Sequence, residues 1–138
     1  MHTVVRFLVV TLAVLALNAP LVAHHSVAVN YDNSKQITIS GVLTEIRWLN
    51  PHSRLRVEVT TEPGATEVWL VEMGSYNAMV RATPPWETDR LVIGESITIN
   101  GSSGRPRQAG EAVRSVFLRT ASLQDGTRFP VRGRAGDN

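Results

Sequence analysis

Three histidines fall in two short motifs, His24 and His25 in Ala23-His24-His25-Ser26 and His52 in Asn50-Pro51-His52. If an N-terminal segment ending at Ala23 is removed, His24 becomes the first residue. Its free amine and imidazole Nδ1 then offer one metal ion a chelate. His52 would supply a third nitrogen, and His25 either a further ligand or a supporting group. Nitrogen donors in a planar arrangement suit Cu(II), which also leads the divalent affinity order. An unperturbed amine titrates near about 8 and an imidazole near about 6.5, so both shed their protons for a metal at modest cost. Glu72 and Met73 are candidate additional donors, an oxygen and a soft axial sulfur, provided their strand ends at the same rim. A cut one residue earlier, after Val22, would place His25 third. Amine, backbone amides and imidazole would then make a square-planar copper or nickel site without His52.

The segment before His24 carries the layout of a secretory signal. Arg6 gives a positive start, Phe7 to Leu17 is an apolar run broken only by Thr11, and small residues lead to Ala23. That run is too short to span a bilayer, which takes about 20 apolar residues. Residues 1–23 are therefore expected to be a cleaved signal peptide and the rest periplasmic or secreted, with no integral membrane segment. Cysteine is absent, which excludes disulfides and thiolate metal sites. Lys and Arg total 14 against 12 Asp and Glu, and every basic residue but Lys35 is arginine. Loss of Arg6 leaves a net charge near +1. The arginines read as solvated strand residues rather than a polyanion surface, and no nucleic-acid partner is expected.

The body that positions these residues is β-rich. Ile37 and Ile39 alternate with polar residues, and after Ser40-Gly41 the alternation resumes on Val42, Thr44, Ile46 and Trp48. A phase change of this kind predicts one long strand over 36–48 with a bulge at Ser40-Gly41. Leu55, Val57 and Val59 mark a second strand, Glu62-Pro63-Gly64 a turn, and Glu67 to Met73 a third strand. Ser75 is placed to cap a short helix from Tyr76 to Arg81, stopped by Pro84-Pro85. A fourth strand follows over Ser96 to Asn100, then a mobile Gly-rich loop over Ser102 to Gly110. A fifth strand covers Ala112 to Ala121, and Asp125-Gly126 turns the chain into Thr127 to Val131. The expected domain plan is an N-terminal arm over 24–35, a β-barrel over 36–131 and a disordered tail over 132–138. Five or six strands with one short helix after the third predict an all-β fold, a small OB-like Greek-key barrel, with a two-sheet β-sandwich as the alternative.

Ala23-His24-His25-Ser26, Trp48-Leu49-Asn50-Pro51-His52 and Glu72-Met73-Gly74-Ser75-Tyr76-Asn77, in that order, resemble a family of exported bacterial proteins of unknown function, number 6152. Its members look like AHHS, W-x-NPH and EMGSPN, followed by GW-x3-L-x-x-GD. Tyr76 stands where the family has proline, and Pro85-Trp86 with Gly94-Glu95 only approximates the last motif. The resemblance implies export and a small β-fold, and brings no activity with it.

Two functions compete on the residues. One is a copper-binding (or other divalent metal-binding) accessory protein using His24, His52 and His25. The other is a non-catalytic binding module for a periplasmic protein partner or small ligand. Each histidine also has a plainer role: a polar terminus for the pair, a turn cap for His52. Glu72 could simply receive an arginine or cap the helix at Ser75. An enzyme is disfavoured. Ser75 lacks a GxSxG setting, no paired carboxylates have a defined spacing, and oxidation at an open copper site ranks third.

Overall fold

The computed structural model describes residues 27–82 and 85–130. A single helical turn, α1 (Val27–Asn30), leads into six strands: β1 (Tyr31–Arg47), β2 (Arg54–Glu62), β3 (Ala65–Glu72), β4 (Ser96–Gly104), β5 (Ser115–Leu123) and β6 (Arg128–Pro130). A short helix α2 (Tyr76–Val80) and a 3₁₀ turn (Thr88–Arg90) lie between β3 and β4. The strands form one sheet in the order β3-β2-β1-β4-β5-β6. A parallel seam of three residue pairs, Leu70–Ser115, Val71–Val116 and Glu72–Phe117, brings β3 back against β5. The course β1-β2-β3-β5-β4 with a helix after β3 is that of an OB-type Greek-key barrel. One continuous sheet leaves no place for the two-sheet sandwich.

Period-two burial builds the core. Val57, Val71, Ile99, Val116 and Leu118 are fully buried, and Leu43, Leu55, Ile97 and Met73 nearly or wholly so. Each large apolar side chain so buried stabilises the fold by roughly 1.5–3 kcal/mol. Met79 from α2 and Trp86 close one end, with Trp86 tilted against Phe129 at a ring separation of 5.0 Å.

Three expectations are corrected. First, the chain joins the sheet at Tyr31 rather than 36, so the fold absorbs Tyr31 to Lys35 of the expected 24–35 arm. The polar run Asp32 to Lys35 forms an irregularity in β1, between the pairs Asp32–Ser103 and Gln36–Ser102. Asp32 accepts from the Ser34 backbone N–H at 3.0 Å, and Ser102 Oγ donates to Asn33 Oδ1 at 3.0 Å. Second, pairing with β4 is unbroken through Ser40 and Gly41, and the shift falls against β2 between Leu43 and Glu45. Leu43, not Val42, continues the inward phase of Ile37 and Ile39, and Val42 is exposed. Gly41 keeps that phase without a side chain because β2 crosses too closely: an added Cβ would lie 2.8 Å from the Glu58 carbonyl carbon and 2.9 Å from Val57 Cγ1. Third, Ser102 to Gly104, the start of the expected 102–110 loop, belong with Gly101 to the buried end of β4. A Cβ at Gly101 would meet the Phe117 backbone, so glycine there permits strand contact rather than flexibility. β5 accordingly begins at Ser115, three residues later than expected.

Candidate functional site

The loop between β1 and β2 and the chain leaving β3 lie side by side, and a buried serine fastens them. Ser53 is wholly inaccessible. Its backbone N–H donates to Gly74 C=O at 3.0 Å, and its C=O accepts from Met73 N–H at 2.9 Å. Its hydroxyl donates to Leu49 C=O and accepts from Leu49 N–H, each at 3.1 Å, closing the turn over a cis Asn50–Pro51 bond. Across the junction, Tyr76 N–H reaches Leu49 C=O at 3.0 Å and Asn77 N–H reaches Asn50 Oδ1 at 3.2 Å. Ser75 caps α2 by accepting from Ala78 N–H at 3.1 Å. Trp48 and Tyr76 pack their rings 5.9 Å apart over this junction. Thus Asn50 and Ser53 perform the turn-capping work that His52 could have done.

His52 is left for another task. Its Nδ1 bonds to Glu72 Oε1, and the other carboxylate oxygen, Oε2, accepts from the Tyr31 hydroxyl at 3.2 Å. Phe117, one strand over, supports both rings. Its centroid lies 5.4 Å from Tyr31 and 6.4 Å from His52, the latter edge-on. The Glu72 side chain is 14% exposed and that of His52 is 30% exposed, so the imidazole remains reachable from solvent. Burial of Tyr31, with the Glu72 carboxylate beside it, pushes the phenol well above its ordinary 10.0. Chemically this is an imidazole oriented by a clamped carboxylate. The bond at Nδ1 commits that nitrogen, which leaves Nε2 as the other ring nitrogen. Metal-bound histidines use the same arrangement, the second ring nitrogen resting on a carboxylate or carbonyl.

The expected donors distribute as follows. His52 and Glu72 are brought together. Met73, the residue after β3, is fully buried in the core. His24 and His25 lie outside the described residues. Among the described residues no group of three His, Cys, Asp or Glu side chains is gathered to hold a metal ion. Sequence reasoning missed Tyr31 and Phe117. The one signal for Tyr31 was an aromatic residue inside an otherwise polar stretch. Phe117 sits at an outward position of β5 and gives no signal until the seam with β3 is known.

Fold and site together define a small OB-type barrel with a histidine–carboxylate–tyrosine cluster on its outer face beside the β3–β5 seam. The chain belongs to the family of unknown function DUF6152, whose model matches residues 11–113 and so covers all three sequence motifs. No curated protein matches the chain. Similar solved structures include the mitochondrial single-stranded DNA binding protein Rim1 of S. cerevisiae, at 11% identity over 65% of this chain and 93% of that one, TM-score 0.46. A small single-stranded DNA-binding protein from Streptomyces coelicolor is similar at 17% identity over 67% of this chain and 96% of that one, TM-score 0.43. Among the described residues no helix is long and apolar enough to cross a membrane.

Proposed function

We propose that this is an exported periplasmic metal-binding accessory protein that holds one divalent ion, copper by preference, between its processed N-terminus and His52. The reading rests on one observation: the His52 Nδ1–Glu72–Tyr31 chain, which commits one ring nitrogen and leaves Nε2 as donor. Tyr31 also ties this cluster to the N-terminal chain. It directly follows α1, and His24 is only three residues before Val27. Three residues reach at most about 10 Å when extended, so the scheme requires the start of α1 to lie within that reach of His52. In this scheme His24 contributes amine and Nδ1, His52 contributes Nε2, and His25 is the candidate fourth ligand. Glu72 acts as the orienting group instead of an oxygen ligand, and Met73 takes no part. Protons from the amine and imidazoles leave as the ion binds, so affinity rises with pH.

The test is intact-mass measurement of the exported protein, followed by Cu(II) titration of it and its variants. The expected result is a mature chain beginning at His24 with one tight copper, lost in His24→Ala and His52→Ala. Glu72→Gln should keep the site but weaken it by about 10–100-fold, the usual effect of removing an orienting carboxylate. Copper binding indifferent to His52 would overturn the proposal and leave the barrel as a non-catalytic binding module.

A further inference from the structure

On the outer face of β1 and β2 the strand register brings three arginines together. Arg47 lies directly opposite Arg54, and Glu45 directly opposite Arg56, with Ile46 and Leu55 turned to the inner side between them. Like charges placed directly opposite on one sheet face destabilise the pairing, so the sheet carries this arrangement at a cost. Glu45 relieves it only in part. Its two oxygens meet Nε of Arg47 and Nε of Arg56, the latter at 2.8 Å. The terminal N–H groups of both guanidinium forks make no other bond among the described residues. Arg54 makes no ion pair there at all. Its cross-strand neighbour on the other side is Glu72, whose carboxylate is already taken by His52 and Tyr31. Glu58, two residues beyond Arg56, is the next charge on this face of β2, and Glu62 ends the strand. The arginines line a cleft of about 140 Å³ together with Glu45, Leu55 and Leu70. Sites for drug-sized ligands run to about 300–1,000 Å³, so this cleft suits one small group.

We infer that this cleft binds a phosphoryl group, with Arg54 and Arg47 as the clamping pair and Arg56 beside them. Planar guanidinium forks present paired N–H donors that match the oxygens of phosphate, and the anion neutralises the Arg47–Arg54 repulsion. The same chemistry could arrive as free phosphate or as the headgroup of an anionic phospholipid. Neither depends on the metal site, although the cleft lies next to it through Arg54 and Glu72.

The experiment is an NMR titration of the processed protein, following the arginine Nε–H signals, with inorganic phosphate and pyrophosphate. A second arm measures co-sedimentation with vesicles of phosphatidylglycerol against vesicles of phosphatidylcholine alone. The expected result is saturable shifts at Arg47 and Arg54, or sedimentation with the anionic vesicles only. Either should weaken at least tenfold in Arg54→Gln and in Arg47→Gln, with the melting temperature unchanged or raised because a repulsion has gone. Binding should be the same with and without a metal chelator, which separates this site from the copper reading. Response to both arms assigns the site to phosphoryl groups generally, and response to vesicles alone assigns it to the lipid headgroup. No saturable response in either arm overturns the inference. So does binding that survives both arginine substitutions.

Discussion

Replacing Gly41 by alanine should strike the one place where β1 has no room for a side chain. The added Cβ would stand 2.8 Å from the Glu58 carbonyl carbon and 2.9 Å from Val57 Cγ1, inside the 3.0 Å that real Cβ atoms respect. The Glu58 carbonyl oxygen is nearer still, so reaching ordinary contact at 3.4 Å needs a movement of more than an ångström. The chief obstacle is backbone, so β1 and β2 must part over a segment whose neighbours Leu43 and Val57 are in the core. Overpacking of this kind costs about 1–3 kcal/mol, and the rigid obstacle argues for the upper half. Alanine returns about 0.4–1 kcal/mol by restricting the unfolded chain. The net loss is then about 2 kcal/mol. For a domain of roughly 100 residues that lowers the melting temperature by about 8–12 °C. Thermal denaturation followed by circular dichroism measures it. Gly74→Ala is the matched control, since a Cβ there meets nothing within 4 Å and φ is not positive. A Gly41→Ala melting point within 2 °C of the parent, or no lower than the control, would refute the account of why glycine sits at this position.

Other perturbations address the junction and the cluster. Ser53→Ala removes the hydroxyl that both donates to and accepts from Leu49, and should cost about 1–3 kcal/mol in urea denaturation. The same variant should bind copper more weakly, because the turn carrying His52 loses its fastening. For Tyr31 the sign follows from its raised titration. Between the ordinary 10.0 and the higher folded value, the unfolded chain gives up a proton that the folded chain keeps. Stability should therefore be fully present below pH 10 and fall above it by up to about 1.4 kcal/mol per pH unit. Tyr31→Phe should flatten that alkaline slope, and an unchanged slope would contradict the burial of the Tyr31 phenol beside Glu72.

How far the sequence disclosed this molecule depended on what made each segment form. Where alternation alone set the outcome, as in Leu55-Val57-Val59 and in Trp69-Val71, inside and outside were readable. Ser75 as helix cap was readable too, because capping is a local effect of one side chain on the next turn. What resisted were places decided by a distant strand. Gly101 to Gly104 have the composition of a loop, yet β5 passes so close that small residues are the only ones that fit. Asp32 to Lys35 look like a polar arm, yet they run within β1, where Ser102 Oγ donates to Asn33 and Asp32 accepts from the Ser34 N–H. The partnership of His52 with Glu72 was half legible: both residues were candidates, as donors to one ion. Their actual relation, with Tyr31 as third member, needs the three-dimensional course of β1.

The Ser53 junction fixes His52 and Glu72 at the base of the β2–β3 hairpin, while its turn at Pro63 and Gly64 hangs at the far end. The nineteen residues between the pair are thus a loop in the topological sense, and their number is not set by the site. Relatives could lengthen or trim this hairpin in matched steps of two residues per strand, keeping every face, with the histidine still on its carboxylate. The sequence distance between the two motifs is therefore an evolutionary slack variable, and the hairpin tip is the natural place to attach a label or an inserted domain.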